Sequence, residues 1–135
     1  MPRLSVLAVS ARLPGWAEAA CAEYAKRMPK GYEVARIAVK QAGRLRAAIP
    51  RHARVVALDE RGSDYSTKQF AELLKSETAF VIGGPDGLDP AIRREAQLLL
   101  RLSSLTLPHA LAQVVLLEQI YRGATLLTGH PYHRE

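Results

Sequence analysis

The chain is built around one segment near its C-terminal end, Leu102-Ser103-Ser104-Leu105-Thr106-Leu107-Pro108-His109. Its leucines alternate with hydroxyl residues and a proline closes it, which gives a loop an apolar lining and leaves backbone N–H and C=O groups free. A purine ring binds in pockets of that kind. The alternative is a buried strand that runs into a helix N-terminus, in which Ser104 or Thr106 satisfies local backbone groups. The flanking sequence decides between the two.

Five apolar runs lead up to this segment, and each predicts a β-strand because it is short and polar residues or glycines follow it. Glu60-Arg61-Gly62-Ser63 follows the third run as a polar loop, and Gly83-Gly84-Pro85-Asp86-Gly87 follows the fourth. Ligands bind at the carboxyl edge of parallel sheets, so both loops are candidate site residues. The predicted strands are Arg3–Val9, Glu33–Val39, Arg54–Asp59, Thr78–Ile82 and Leu98–Ser103.

Helical patterns separate these strands, beginning after a turn over Ser10–Gly15. Ser66 is a predicted N-cap, and Asp89 and Pro90 are a predicted N-cap and N1 pair. The alternation predicts a single α/β domain over residues 1–135, with a mostly parallel sheet flanked by helices. The predicted helices are Trp16–Met28, Gln41–Ile49, Thr67–Leu74, one from Pro90 through Glu95 or Ala96, and Ala110–Leu127.

The last predicted helix has apolar residues on more than one face. One stripe packs on the sheet, and a second stripe needs a partner helix, most simply from an identical subunit. We therefore expect a homodimer.

The composition is that of a globular domain with its own core. Cys21 is the only cysteine, which excludes an internal disulfide and fits a reducing cytosol. The first apolar run is short and Arg12 follows it, so it predicts a strand and no export signal. The longest apolar runs, such as Val114–Leu117, are too short to span a membrane. These features predict a cytoplasmic protein.

The charge balance is basic, with 19 lysines and arginines against 13 acidic residues. This excess favours a polyanionic partner, although each cationic pair is also compatible with a solvated face. A dimer doubles the positive surface, which favours nucleic acid over a small anion.

Several common site types do not match the sequence. The glycines at 83, 84 and 87 fit neither a dinucleotide fingerprint nor a phosphate-binding loop, and by themselves they indicate a tight turn. His130 and His133 are three apart without an acidic cluster, so we expect no metal site. No Gly-x-Ser-x-Gly motif is present to indicate a hydrolase.

Several motifs, in their order and spacing, resemble the RlmH family, SPOUT-class methyltransferases of large-subunit ribosomal RNA. The resemblance extends from Leu4 to the last residue, and it departs between Val39 and Arg54, where the family carries a longer, lysine-rich segment. This shortening puts an RNA-contact role of the segment in doubt. The matching motifs are Leu13–Trp16, Tyr24–Pro29, Leu58–Gly62, Phe80–Leu88, Ser104–His109, Tyr121-Arg122 and His130–Glu135.

The resemblance implies a domain whose C-terminal part forms a trefoil knot, an exception to the rule against knotted chains. It implies a homodimer that uses S-adenosyl-L-methionine to methylate N3 of a pseudouridine in 23S ribosomal RNA, free or in the assembled ribosome. The cofactor residues that it implies are Leu58, Gly83, Gly84, Leu102, Ser103, Ser104, Leu105, Thr106, Leu107 and Pro108.

Methylation of this nitrogen needs alignment with the sulfonium methyl group and removal of the N3 proton. We expect His133 to be the base because histidine titrates near neutrality, with Glu135, His109 and Glu118 as alternatives. Arg122 or Arg134 would stabilise charge on the ring, and Tyr132 would stack on it. The alternative for the tail is that Tyr132 and His133 only pack against a partner subunit and order its pocket.

Two other functions are compatible with parts of the pattern. A non-catalytic ribosome-binding factor with the same fold and basic surface is opposed by the intact loop and tail. A flavodoxin-like nucleotide enzyme is opposed by the lack of a phosphate loop after the first strand.

Overall fold

The computed structural model describes residues 3–9, 12–84 and 86–134. Within them the predicted alternation of strands and helices is confirmed. Ser10, Pro85 and Glu135, which the sequence assigns to the first turn, the glycine loop and the tail, lie outside the described residues. The strands are β1 (Leu4–Val9), β2 (Val34–Val39), β3 (Arg54–Asp64), β4 (Thr78–Ile82) and β5 (Leu98–Arg101). The helices are α1 (Gly15–Lys26), α2 (Leu45–Ala48), α3 (Thr67–Leu73), α4 (Pro90–Glu95) and α5 (His109–Thr128).

The described strands form one sheet in the order β2-β1-β4-β3-β5. All of its strand pairings are parallel, so every strand ends at the same carboxyl edge. The connections that follow β1, β3, β4 and β5 therefore begin at that edge.

Alternating residues of the strands fill two apolar layers. Leu4 and Val6 of β1 point into the larger layer, which Phe80 shares with Leu116 and Ile120 of α5. Leu7 points into the other layer, with Leu45 of α2 and Ile92 of α4. Helices α1 and α3 both pack against α5. The long C-terminal helix is thus held on the larger core, and its first residue is fixed at the carboxyl edge.

The predicted N-caps of α3 and α4 are confirmed. The Ser66 Oγ accepts the Gln69 backbone N–H at 3.1 Å, and the Gln69 Oε1 accepts the Ser66 N–H at 2.8 Å, which is a capping box. The Asp89 Oδ1 accepts the Ala91 N–H at 2.7 Å, and Pro90 is the first helical residue. Cys21 is buried in α1.

The predicted polar loop at Glu60–Ser63 is wrong, because β3 continues to Asp64. Its register on β5 shifts between Leu58 and Ser63 and then resumes with Ser63 opposite Leu100. Gly62 permits this close pairing, since a Cβ there would lie 2.6 Å from the Leu99 carbonyl carbon. A bulge of this kind leaves no alternating hydrophobic pattern, so the sequence did not reveal it.

Other predicted bounds also differ. Strand β5 ends at Arg101, so Leu102 and Ser103 belong to the loop and the extended-strand alternative for that segment is wrong. The predicted helix Gln41–Ile49 is a 3-10 turn at Ala42–Arg44 followed by the short helix α2. The trefoil knot stays a prediction.

Candidate cofactor cleft and C-terminal cluster

A cleft of about 570 Å³ opens at the carboxyl edge of the sheet. The ends of β3, β4 and β5 form its walls together with the loop between β5 and α5. Eight of the ten predicted cofactor residues line it: Leu58, Gly83, Gly84, Leu102, Ser103, Leu105, Thr106 and Leu107. Ser104 and Pro108 do not line it. Ser104 is exposed on the loop, and Pro108 is the N-cap residue of α5.

The glycines after β4 form a tight turn that is also a wall of the cleft. The Gly87 N–H donates to the Gly84 carbonyl at 2.9 Å, and Gly87 has a positive φ of 89°. A Cβ on Gly83 would lie 2.6 Å from the Gly87 carbonyl oxygen, and one on Gly84 would lie 3.1 Å from Val9. Position 83 therefore requires glycine, because its backbone closely approaches the backbone of Gly87. The absence of side chains in the turn also leaves room for a ligand.

The loop after β5 presents apolar surface at the mouth of the cleft. Leu105 is 75% exposed. Its N–H donates to the Ser103 Oγ at 2.9 Å, so a hydroxyl does satisfy a local backbone group, although it is not Ser104 or Thr106. The exposed leucine is available to cover a flat apolar ligand.

Two charged residues of the cleft were missed by the sequence reasoning. The Asp59 side chain is 4% exposed, and its Oδ2 lies 2.7 Å from the Arg93 Nη2. The Asp59 Oδ1 accepts the Arg61 backbone N–H at 2.8 Å. The Arg93 Nε is buried and has no hydrogen-bond partner among the described residues. Asp59 ends a predicted strand and lies in the motif Leu58–Gly62, whereas no motif includes Arg93.

His109, in the first turn of α5, forms a hydrogen bond with the backbone of the glycine turn. Burial lowers the pKa of His109, and a hydrogen bond to the Gly83 backbone partly offsets that effect. Its Nε2 lies 2.9 Å from the Gln113 Nε2, and Gln113 is 4% exposed. Because an amide nitrogen only donates, this imidazole Nε2 accepts, and the ring proton is on Nδ1.

A second group of predicted catalytic residues clusters near the C-terminal end of α5. The Glu118 Oε2 accepts hydrogen bonds from the Tyr132 hydroxyl at 2.8 Å and from the Arg122 Nη2 at 2.7 Å. Arg122 lies 4.8 Å above the Tyr132 ring and contacts the His133 Nδ1 at 3.2 Å. Burial and the bond to Glu118 raise the pKa of Tyr132 well above its usual range, so its hydroxyl stays protonated. We call Glu118, Arg122, Tyr132 and His133 the tail cluster.

The tail cluster does not reach the cleft of its own chain. Helix α5 has 20 residues, and the 13 residues from His109 to Arg122 span about 20 Å at a rise of about 1.5 Å per residue. Tyr132 packs on Tyr121, which in turn contacts Tyr24 near the end of α1. That end of α1 lies at the amino edge of the sheet, so the structure separates the two groups.

Arg134 is exposed, and its side chain has no ion pair with the residues described. Between residues 3 and 134, leaving out the undescribed positions, no three His, Cys, Asp or Glu side chains come together as a metal site would require. Within the same residues no helix is long and apolar enough to cross a membrane.

A second cleft of about 740 Å³ lies at the same edge beside the ends of β1 and β2. Arg12, Leu13, Pro14 and Ala38 line it, and Gln113 also contributes to it. The hydrogen-bonded pair of His109 and Gln113 therefore separates the two clefts, with one side chain facing each.

Comparison with known proteins agrees with this architecture. The family described as "Predicted SPOUT methyltransferase" matches residues 2–133. "Ribosomal RNA large subunit methyltransferase H" of Verminephrobacter eiseniae is 47% identical, and the alignment covers 98% of this chain and 99% of that protein. The alignment extends over 154 positions, whereas this chain has 135 residues, so the chain is shorter than its relative.

Solved structures share the fold at low sequence identity. A probable methylase family protein from Haemophilus influenzae superposes with a TM-score of 0.60 at 13% identity, covering 98% of this chain and 70% of that one. The SpoU methyltransferase AviRb from Streptomyces viridochromogenes, in complex with AdoMet, gives 0.54 at 16% identity, covering 88% of this chain and 56% of that one. From its match to the family and its identity to a full-length relative, this chain belongs to the SPOUT methyltransferases and, among them, to the ribosomal RNA large subunit methyltransferase H family.

Proposed function

We propose that this chain methylates large-subunit ribosomal RNA with S-adenosyl-L-methionine, and that the methyl group goes to N3 of a pseudouridine in 23S RNA. The observation that carries the proposal is the cleft at the carboxyl edge, where eight implied cofactor residues come together from three separate segments. Family membership supports the reaction class. We place the reaction in the cytoplasm, on free RNA or on the ribosome.

The residues present fit this cofactor. Leu102, Leu105 and Leu107 offer apolar surface for an adenine ring, and the glycine turn keeps the space open that a Cβ would fill. Asp59 and Arg93 bring a carboxylate and a guanidinium to the same cleft, where an amino acid moiety could pair with them. The glycine turn is no phosphate loop, which agrees with a cofactor that carries no phosphate. Bound in this cleft, the cofactor supplies an electrophilic methyl group.

The protein must then orient the base and remove one proton. The N3–H bond of the pyrimidinedione would break as its proton passes to a side chain, and the nitrogen would take the methyl group as the bond between that carbon and the sulfonium sulfur breaks and the neutral thioether leaves. We assign His133 as the base and Arg134 as the cation that stabilises charge on the ring oxygens. Tyr132 supplies an aromatic face for the base, and Arg122 assists. Among the alternatives, His109 is held in hydrogen bonds and Glu118 already accepts several.

The geometry supports a role for Arg122 in holding the tail. Arg122 donates to the His133 Nδ1 and to Glu118, so the guanidinium fixes the position of the imidazole. Because an Nδ1 that accepts places the proton of the neutral ring on Nε2, His133 would take the N3 proton at Nδ1, in place of the Arg122 contact.

We further propose that the tail cluster serves the cleft of a second subunit in a homodimer. Within one chain the cluster and the cleft lie at opposite ends of a 20-residue helix. Val114, Val115 and Leu111 on α5 are only partly buried, which leaves apolar surface for a partner helix. Two antiparallel α5 helices would bring the end of each next to the start of the other.

Titration of the purified protein with S-adenosyl-L-methionine, together with its size in solution, tests the cofactor assignment. We expect a dimer that binds, and Leu105→Asp to weaken binding by at least about tenfold, because a leucine contact is worth about 1.5–3 kcal/mol. Leu105→Met is the matched control and should keep the affinity. Equal binding by Leu105→Asp and wild type would contradict the assignment.

A further inference from the structure

The cations of this chain divide into paired and unpaired groups. A guanidinium in a close ion pair is partly neutralised and attracts a polyanion less than a free one does. Among the described residues, six of the fourteen arginines bind a carboxylate through their side chains: Arg27 to Glu23, Arg36 to Glu18, Arg46 to Glu95, Arg93 to Asp59, Arg101 to Asp64 and Arg122 to Glu118.

Three cations at the carboxyl edge are different. Arg12, Lys40 and Arg44 are exposed, and their side chains have no hydrogen bond or ion pair with the part of the chain that is described. Arg12 follows β1, Lys40 directly follows β2, and Arg44 ends the 3-10 turn after it. Because β1 and β2 are parallel neighbours about 5 Å apart, these residues come to one corner of the sheet.

An exposed aromatic side chain follows Arg12 by four residues. Trp16, in the first turn of α1, is 59% exposed, and the preceding residue Gly15 lines the second cleft together with Arg12. Exposed tryptophan next to unpaired cations is the combination that single-stranded nucleic acid uses, with bases stacked on the ring and phosphates on the cations.

The second cleft adjoins the place where methyl transfer is proposed. Gln113 belongs to the second cleft and His109 to the cofactor cleft, and their side-chain nitrogens are 2.9 Å apart. A strand whose target base enters the cofactor cleft would therefore have its neighbouring nucleotides at the second cleft.

We infer that Arg12, Trp16, Lys40 and Arg44 form the surface that binds the single-stranded RNA flanking the target nucleotide. We call them the flanking-strand surface. The inference rests on the proposed function and adds the position and strand type of the substrate contact. Charge complementarity favours RNA over a second copy here, because two copies of this corner would bring unpaired cations together.

The shortened segment between β2 and β3 takes part in this surface. Leu45 of α2 is 1% exposed in the smaller apolar layer, and Arg46 pairs with Glu95 of α4. These two contacts hold the segment against the sheet, and Lys40 and Arg44 remain at the carboxyl edge. The shortened segment can therefore still contact RNA through Lys40 and Arg44.

The test uses salt dependence of binding to a fluorescein-labelled RNA stem-loop, measured by anisotropy. The variant Arg12→Gln/Lys40→Gln/Arg44→Gln removes three cations of the surface. Arg3→Gln/Lys30→Gln/Arg51→Gln is the matched control, because it removes the same charge from exposed cations at the opposite, amino edge. Arg61 is kept because it lines the cofactor cleft.

We expect the surface variant to lower the slope of log affinity against log salt by about 2, since each lost contact to single-stranded phosphate is worth about 0.7. The control should leave that slope unchanged. Trp16→Ala should weaken binding about tenfold without changing the slope, because stacking carries no charge.

Three results would overturn the inference. The slope of log affinity against log salt could fall equally in both triple variants, it could stay unchanged in the surface variant, or the wild type could fail to bind the RNA. A surface variant that becomes monomeric would also overturn it, by assigning this corner to the partner subunit. Cofactor affinity, titrated in the same samples, reports on the proposed function separately: its absence in the wild type would refute the cofactor assignment and leave the RNA comparison readable.

Discussion

The cofactor cleft and the tail cluster are both assembled within one chain, but they lie at opposite edges of the sheet. The cleft lies where several parallel strands end, so the topology alone brings distant segments together. The tail cluster is held by its own helix through Glu118, at the amino edge of the sheet. A parallel sheet therefore supplies a binding site by its connectivity, whereas a terminal segment needs another surface to act on.

The largest effect should come from the tail, where the variant His133→Ala/Arg134→Ala removes the proposed base and cation. Turnover on ribosomal RNA should fall about 10²–10⁴-fold, the range for loss of general base catalysis. Cofactor affinity should stay unchanged, because the cleft of each chain is intact. Single-turnover kinetics and calorimetry measure the two quantities.

His130→Ala is the matched control for the tail, since His130 is exposed beside the same turn. It should keep full turnover. If the double variant instead lost cofactor binding, the tail would order the pocket and the catalytic assignment would fail.

An intermediate effect is expected from Gly83→Ala in the cleft. The new Cβ would lie 2.6 Å from the Gly87 carbonyl oxygen and 2.8 Å from the Leu88 Cα, so the turn must open. We expect the free energy of unfolding to fall by about 1–3 kcal/mol, as for other overpacked sites, together with lost cofactor affinity. Denaturation in urea and calorimetry measure the two losses.

Gly43→Ala provides the comparison, because a Cβ at Gly43 has no atom within 4 Å. It should unfold at the same urea concentration as the wild type. Equal stability of the two variants would mean that the glycine turn is not a tight structural element of the cleft.

The smallest effect should be a pH dependence from His109, whose pKa burial lowers below the ordinary value of 6.5. In the window just below 6.5 the unfolded chain binds more protons than the folded chain, so stability rises with pH and falls as the solution is acidified. His109→Gln should reduce that slope between about pH 7 and pH 5. Chemical denaturation over this range measures it, and equal slopes in variant and wild type would contradict a buried neutral imidazole.

Much of the fold could be read from the sequence because local signals agreed with the tertiary structure. Thr78–Ile82 was predicted at its observed bounds, since a fully buried parallel strand is a continuous apolar run bounded by turn residues. The bulged extension of β3 could not be predicted, because its pairing depends on a backbone approach at Gly62 that only β5 reveals.

The site residues also divide into those that local sequence patterns predict and those that only the structure reveals. Leu105 and Asp59 both belong to motifs that the sequence reveals, and both line the cleft. Arg93 belongs to none, and its ion pair with Asp59, 34 positions earlier, is visible only in the structure. The position of the tail was also beyond local patterns. Its attachment to Glu118 and Arg122 follows from helical spacing on α5 combined with a chain reversal at Gly129, which has a positive φ of 77°.

The most direct measurement mixes two variants that are each defective in one region. Leu105→Asp impairs the cleft and His133→Ala/Arg134→Ala impairs the tail, so each homodimer should be inactive on ribosomal RNA. If each tail serves the partner's cleft, random heterodimers carry one intact pair, and the co-expressed mixture should regain about a quarter of wild-type activity. If the mixture contains heterodimers and stays as inactive as its parents, the tail does not act across the dimer and the account is contradicted.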